Sequence, residues 1–178
     1  MHRFVWDLRY ADMRDNTRDH EFNDEGGPRW RGPLVLPGTY KIKLTVNGRE
    51  LVQALEVVMD PRSRATPADL AQQFRWAQRA FEDLIRATDA LAEVDSLKKH
   101  LGDMQPQLEE KQKASLDAVS EGLHSARTGL TAALNALESA DRTPPSQVIA
   151  LYLESAKTLK SKLSDWEALK RATVPGRA

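Results

Sequence analysis

Hydrophobic residues follow two different periods along this chain, and the change falls near residue 62. Before it, apolar residues alternate with polar ones, which is the period of a strand with one buried face. After it, apolar residues recur every three or four positions, the period of helices that pack knobs into holes. The sequence therefore predicts a β-rich segment over 1–61 and a helical segment over 66–173.

In the β-rich segment, the first predicted strand covers Arg3 to Tyr10, and a polar, charged, glycine-rich loop covers 11–33. A hairpin follows around Asn47-Gly48, the dipeptide that a two-residue type I′ turn prefers, since both residues need positive φ. Its return strand runs from Arg49 to about Met59. The alternating apolar faces consist of Phe4, Trp6, Leu8 and Tyr10 in the first strand and Tyr40, Ile42, Leu44 and Val46 in the second.

The helical segment predicts three helices, over 66 to about 102, about 106 to 140, and about 145 to 172. Thr66-Pro67-Ala68-Asp69 supplies an N-cap, a proline at the first helical position and an acid in the first turn. Gly102 is the predicted stop of the first helix. Three apolar stripes joined by short breaks predict an up-down-up bundle. The fold class is therefore α+β, with an antiparallel β module followed by a long antiparallel three-helix bundle.

The predicted seams of the bundle come from the same spacing. They consist of Leu70, Phe74, Ala77, Phe81, Leu84, Thr88, Leu91 and Val94; Leu116, Val119, Leu123, Ala126, Leu130, Leu134 and Leu137; and Val148, Tyr152, Ala156, Leu159, Leu163, Trp166 and Leu169 or Lys170. Trp76 lies beside the first seam, and we expect it to contact the β segment because tryptophan contributes a large apolar area.

Charge and composition narrow the classes of partner. The chain has 26 basic and 26 acidic side chains, so nucleic acid and anionic membranes, which favour a basic face, are poor candidate partners. No apolar run approaches the roughly 20 residues of a membrane span, and the first ten residues lack the apolar region of a signal peptide. The absence of cysteine excludes disulfides and thiolate metal sites.

Candidate chemistry is sparse. The four histidines, at positions 2, 20, 100 and 124, have no histidine or cysteine three or four residues away, so the sequence predicts no metal site. Asp7 is the best-placed acid for glycosidase chemistry, but alternation puts it opposite Trp6. The preferred role is a hydrogen bond to a nearby turn, or a pair with Arg9 or with an arginine of the loop. Acids in the loop 11–33 do not follow the EF-hand order. No catalytic or cofactor-binding residue and no cofactor is predicted.

Two motifs carry a family resemblance, Phe4-Val5-Trp6-Asp7 and Leu36-Pro37-Gly38-Thr39-Tyr40. With the helical tail, they resemble the C-terminal region of large exported bacterial proteins that contain sortilin-like, neuraminidase-repeat propellers and are often labelled glycosyl-hydrolase-like. The β part is similar to the immunoglobulin-like domain of flagellar hook-capping proteins. The resemblance implies an abbreviated immunoglobulin-like module and, if the chain is such a tail, an exported or periplasmic location. The family's ligand-binding and hydrolytic claims attach to its propeller, so no functional residue is carried over.

We expect a non-catalytic interaction or assembly module. Three strands would expose two unpaired edges, which readily accept another strand, and so thin a sheet is marginal unless something covers its apolar face. The expected partner is a second copy, giving a homodimer, or the missing propeller domain. The alternative is part of a glycosidase-like hydrolase with its site near the β module and the loop 11–33. Candidate interaction residues are Phe4, Trp6, Tyr10, Tyr40 and Trp76.

Overall fold

The computed structural model describes residues 5–10, 32–104 and 110–173, and within them the chain is an α+β protein with two strands and three helices. The strands β1 (Gly38–Val46) and β2 (Arg49–Val57) form one antiparallel sheet. The helices are α1 (Pro67–Met104), α2 (Glu110–Leu137) and α3 (Ser146–Thr173). The predicted fold class is confirmed at this level.

The β1–β2 hairpin is formed around the predicted turn. Asn47 and Gly48 both have positive φ, 50° and 77°, as a type I′ turn requires. The register places Val46 opposite Arg49 and Leu44 opposite Leu51, so the even residues of β1 and the odd residues of β2 share one face. That face is the apolar face predicted from the alternation.

The predicted first strand is wrong for its described part, residues 5–10, which form only an isolated bridge between Arg9 and Leu34. Leu8 has a φ of 60°, a left-handed conformation that interrupts the alternation. The cause is local: the Asp7 carboxylate accepts a hydrogen bond from the Arg9 backbone N–H at 3.2 Å, and the Trp6 indole N–H donates to the Arg9 carbonyl at 2.8 Å. These bonds turn the chain where the side-chain pattern alone predicts an extended strand.

The three helices pack as the predicted antiparallel bundle. Lys98, late in α1, pairs with Asp117, early in α2, and Gly129 of α2 meets Ser155 of α3, so each helix runs opposite to the one before it. Every predicted seam residue of α2 is buried, as are those of α1 apart from half-buried Phe74 and Thr88. In α3, Tyr152, Leu159 and Trp166 are buried and the other seam residues are half-buried. Alanines 80, 87, 90 and 133 complete the core.

Two predicted helix boundaries need correction. Gly102 does not end α1, which continues to Met104, because one glycine costs a long helix only about 1 kcal/mol relative to alanine. The predicted start of the second helix near residue 106 lies outside the described residues. The same helix ends at Leu137 rather than Ala140, and Gln73 of α1 caps this end by donating to the carbonyls of Leu137 and Ala140.

Candidate interaction surface

A short N-terminal segment, residues 5–10, lies against the residues that lead into β1. The Tyr10 N–H donates to the Pro33 carbonyl and the Val35 N–H donates to the Leu8 carbonyl, both at 2.9 Å. The Arg9 guanidinium also donates to the Gly32 carbonyl at 2.9 Å. Together these bonds fix the approach to the hairpin.

The carboxylate of Glu138, just after α2, ties this approach to the bundle. One oxygen accepts a hydrogen bond from the Arg9 guanidinium at 2.7 Å, and the other accepts from the Leu34 backbone N–H at 2.9 Å. The side chains of Arg9 and Glu138 are only 21% and 12% exposed, so the ion pair is better shielded from water than a typical surface pair. One residue therefore anchors both strands of the isolated bridge.

Aromatic contacts connect the N-terminal segment to the hairpin on one side and to the bundle on the other. These contacts and the bonds of Glu138 are together named the junction. Trp6 meets Tyr40 of β1 edge-on, with ring centroids 5.6 Å apart, and Tyr10 meets Phe74 of α1 at 5.4 Å. The Tyr40 hydroxyl donates to the Leu36 carbonyl at 2.6 Å. Desolvation raises the pKa of Tyr40, and the neighbouring Tyr10 adds to that rise. A small cavity of about 170 Å³ lies here between the approach to β1, the exit from β2 and the first turns of α1.

Beyond the junction, the apolar face of the hairpin is exposed to solvent. Tyr40, Leu55 and Val57, at the base, are half-buried. Towards the turn, large apolar side chains are about half exposed or more: Ile42 48%, Leu44 55%, Val46 50% and Leu51 64%. Because these residues lie on one side of a regular two-stranded sheet, they form a single surface, named here the hairpin face. A contiguous exposed apolar patch marks an interaction site more often than scattered apolar residues do.

The five candidate interaction residues divide among three places. Trp6, Tyr10 and Tyr40 come together at the junction, and Phe4 lies outside the described residues. The ring of Trp76 packs edge-on against Tyr152 of α3 at 5.4 Å, and its expected contact with the β segment stays a prediction. Tyr152 also donates to the Asp83 carboxylate at 3.0 Å, and burial and that charge raise its pKa to about 12.

Sequence reasoning missed the residues that join the two parts of the molecule. Glu138 follows the last seam residue of α2 and looks like an ordinary polar residue at a helix end. Its partner Arg9 is 129 positions away, so no local pattern connects them. The spacing places Phe74 in the bundle seam, whereas its ring contacts Tyr10 of the β segment.

A second, more open groove of about 630 Å³ lies between the C-terminal parts of α1 and α3. The Glu93 carboxylate accepts hydrogen bonds there from the Trp166 indole N–H at 2.8 Å and from Lys170 at 3.0 Å, which lower its pKa. The Lys170 ammonium also lies 5.4 Å from the centre of the Trp166 ring. These polar groups bond to one another, and their bonds hold α1 and α3 together.

The described residues contain no group of three or more potential metal ligands. His124 lies beside Arg127 at 3.2 Å, whereas His2, His20 and the loop acids up to residue 25 lie outside the described residues. Asp7 makes the predicted hydrogen bond to a nearby turn, accepting from the Arg9 N–H. None of the described helices is long and apolar enough to cross a membrane.

Comparisons with models of protein families, with curated proteins and with solved structures find no match. The resemblance to the tail of propeller-containing proteins remains a prediction drawn from the residues.

Proposed function

We propose that this chain is a non-catalytic interaction module that uses its hairpin to dock on another protein surface. The hairpin face carries the proposal. Four large apolar side chains stay about half exposed or more although the hairpin itself is regular. Covering a large apolar side chain is worth roughly 1.5–3 kcal/mol when burial is complete, so a partner that covers this face gains several kcal/mol.

The junction supports the same proposal. A docking surface is useful when its position relative to the rest of the molecule is fixed, because less conformational freedom is then lost on binding. Here the Glu138 carboxylate, the Trp6–Tyr40 contact and the Tyr10–Phe74 contact tie the base of the hairpin to the bundle. The bundle is the support and the hairpin is the part that binds.

The family resemblance gives the proposal its finer form. In this form the hairpin is part of an immunoglobulin-like sandwich that a partner completes, and the chain is the C-terminal accessory part of an exported protein with a propeller. A sandwich of that class has about seven strands, whereas the described residues contain two. The partner is either a second copy of this chain, as the homodimer prediction states, or the propeller-containing part.

Light scattering tests the proposal. Leu44 and Leu51 lie directly opposite each other on the hairpin face, and replacing both with threonine keeps β propensity while removing apolar area. We expect the wild-type chain to associate above its 20.0 kDa monomer mass, either alone at micromolar concentration or on mixing with a propeller domain of the resembled family. The Leu44→Thr/Leu51→Thr variant loses that association, and the control Leu153→Thr, at an exposed leucine of α3 outside the hairpin face, retains it.

Two results would contradict this function. One is a wild-type chain that stays monomeric in both arms while its β segment is ordered. The other is turnover of aryl glycosides by the purified chain that disappears in Asp7→Asn, which would favour the hydrolase alternative.

A further inference from the structure

The two edges of the hairpin differ in the backbone groups and side chains they offer to a neighbouring strand. In a type I′ hairpin the residues flanking the turn, here Val46 and Arg49, are hydrogen-bonded to each other. Hydrogen-bonded and non-hydrogen-bonded pairs alternate from there. The backbone N–H and C=O groups of Lys41 and Lys43 therefore point away from β2, and those of Val52 and Ala54 point away from β1.

The β1 edge carries lysines that oppose pairing with a further strand. Its outward positions include Lys41 and Lys43, both exposed, and β1 contains no acid. Lysines on an edge strand oppose pairing with a further strand, because pairing would desolvate the ammonium groups or bring them close to other charges. Only Lys43 has an acidic partner among the described residues, Glu50 at 2.5 Å.

The β2 edge has no charged side chain at its central outward positions. Val52 and Ala54 occupy the central outward positions, and the acids Glu50 and Glu56 lie at the two ends of the strand. Leu51 and Val52 point to opposite faces and are 64% and 58% exposed. Apolar residues on both faces are typical of a strand whose two faces are both covered, whereas β1 alternates apolar with charged residues as a strand with one solvated face does.

We propose that the β2 edge is the strand-accepting edge of this module and that its occupant is a strand of another protein, apolar at its centre and basic near its ends. This inference rests on the proposed function and adds the edge and the chemistry of the partner strand. Basic residues six positions apart would lie opposite Glu50 and Glu56, and small or β-branched residues would lie opposite Val52 and Ala54. Opposite charges on directly facing positions stabilise a strand pair.

The same charges disfavour a second copy on this edge. If two β2 strands pair antiparallel about a two-fold axis over their whole length, Glu50 of each copy lies opposite Glu56 of the other. Two pairs of like charges then face each other, which destabilises the sheet. A second copy avoids this only by slipping by two or more residues and losing part of the ladder.

Two synthetic nine-residue peptides test the proposal by amide hydrogen exchange, measured by nuclear magnetic resonance on the full chain. Both alternate threonine and valine, with lysine at positions 2 and 8 in one peptide and glutamate at those positions in the other. We expect the lysine peptide to slow exchange of the Val52 and Ala54 amides and to leave those of Lys41 and Lys43 unchanged. We expect it to bind about five- to tenfold more tightly than the glutamate peptide, because two attractive pairs replace two repulsive ones.

Matched variants locate the edge. Val52→Pro removes an outward N–H without removing a ladder hydrogen bond, so it should abolish peptide binding. Lys41→Pro removes an outward N–H of β1 in the same way, opposite Ala54, without breaking the Lys43–Glu50 pair, and should leave binding intact. The double variant Glu50→Lys/Glu56→Lys should reverse the preference between the two peptides.

Several results would overturn the proposal. These are slowed exchange at Lys41 and Lys43, equal affinity for both peptides, no binding of either, or exchange at Val52 that slows with protein concentration in the absence of peptide, which would place a second copy on the edge. If one of them appears while Leu44→Thr/Leu51→Thr still loses its association, the interaction function stands and only the edge assignment fails.

Discussion

Two glycines of α2 face α3, and they differ in what an added methyl group would meet. At Gly122 a Cβ atom would lie 2.7 Å from the methylenes of Lys162, a flexible chain that can move aside. At Gly129 it would lie 2.1 Å from Oγ and 3.1 Å from Cβ of Ser155, which has no flexible chain to move. We expect Gly122→Ala to stabilise the protein by about 0.5–1 kcal/mol through the lower entropy of the unfolded chain. Gly129→Ala should destabilise it by about 1–2 kcal/mol through overpacking.

Urea denaturation of both variants measures the two free energies of unfolding. Because both substitutions gain the same helix propensity, the difference between them reports the contact with α3. Combining Gly129→Ala with Ser155→Ala should recover part of the loss, since the nearer of the two clashing atoms is removed. Equal effects of the two glycine substitutions would mean that α2 and α3 are not in close contact at Gly129.

At the scale of single residues, the sequence predicts burial better than it predicts partners. The seam of α2 is correct at every position because periodicity alone determines which side of a helix is covered. The partner of Trp76 was not predictable, because its position beside the seam is compatible with more than one neighbour. The positive φ of Leu8 was missed because it depends on hydrogen bonds by Asp7 and Trp6 that alternation does not encode.

At the scale of elements, the start of α1 is a capping box with an additional partner. The Asp69 carboxylate accepts hydrogen bonds from the N–H and hydroxyl of Thr66, and the Asp69 N–H donates back to the Thr66 hydroxyl. The Thr143 hydroxyl, in the loop between α2 and α3, donates to the other carboxylate oxygen at 2.6 Å. Thr143, then Thr66, are the main causes that lower the pKa of Asp69 from 3.8 to about 2.

This cap predicts a pH dependence. Because the pKa is lower in the folded chain than in the unfolded one, the contribution of Asp69 is complete above about pH 4 and is lost as the pH falls towards 2. We expect Asp69→Asn to lower the melting temperature at neutral pH, and the difference from the wild type should shrink between pH 4 and 2. Thermal unfolding followed by circular dichroism at several pH values measures it. A difference that stays constant across this range would show that the charge does not contribute.

The connection between the β segment and the bundle depends on Glu138. We expect Glu138→Ala to favour local opening of residues 5–10 by about 1–3 kcal/mol, because the Leu34 N–H loses its acceptor and the Arg9 guanidinium loses its carboxylate partner while keeping the Gly32 carbonyl. Exchange of the Tyr10 and Val35 amides, which bond across the bridge, should become roughly five- to 150-fold faster, the range that corresponds to this free energy. Glu121→Ala, an exposed glutamate in the middle of α2, is the matched control and should leave these amides unchanged. Unchanged exchange in Glu138→Ala would mean that the bridge holds without the bundle.

Element types were predictable and element ends were less so. Asn47-Gly48 specifies its turn by the φ angles that the two residues accept, and Thr66 to Asp69 specifies a helix start by direct hydrogen bonds. Gly102 does not specify a helix end in this way, because a single glycine weakens a helix without ending it. The candidate site shows the same contrast between local and distant signals. The apolar face of β1 was predictable from alternation, which is local, whereas the anchor at Glu138 was not, because it joins residues distant in sequence.

At the scale of the whole molecule, the bundle and the β segment contribute unequally to stability. Apart from Ala65 and two prolines, Pro33 and Pro144, every buried apolar side chain of the described chain belongs to a helix. The hairpin contributes half-buried residues at its base and an open face towards its turn. A two-stranded hairpin alone is marginal in water, so the bundle has to support the β segment, and the reverse is not required.

We therefore expect residues 60–173, expressed without the β segment, to fold as a cooperative helical bundle. The helix-to-helix ties, such as Trp166 with Glu93 and Tyr152 with Asp83, are all retained in this fragment. The loss should be limited to about 1–3 kcal/mol, because Phe74 and Leu70 lose their cover from the β segment. Circular dichroism and urea denaturation measure both quantities, and residues 1–61 expressed alone should lack the amide dispersion of a formed hairpin. A fragment 60–173 that unfolds without cooperativity would show that the β segment is part of the folding unit, and the hairpin would then serve stability as well as docking.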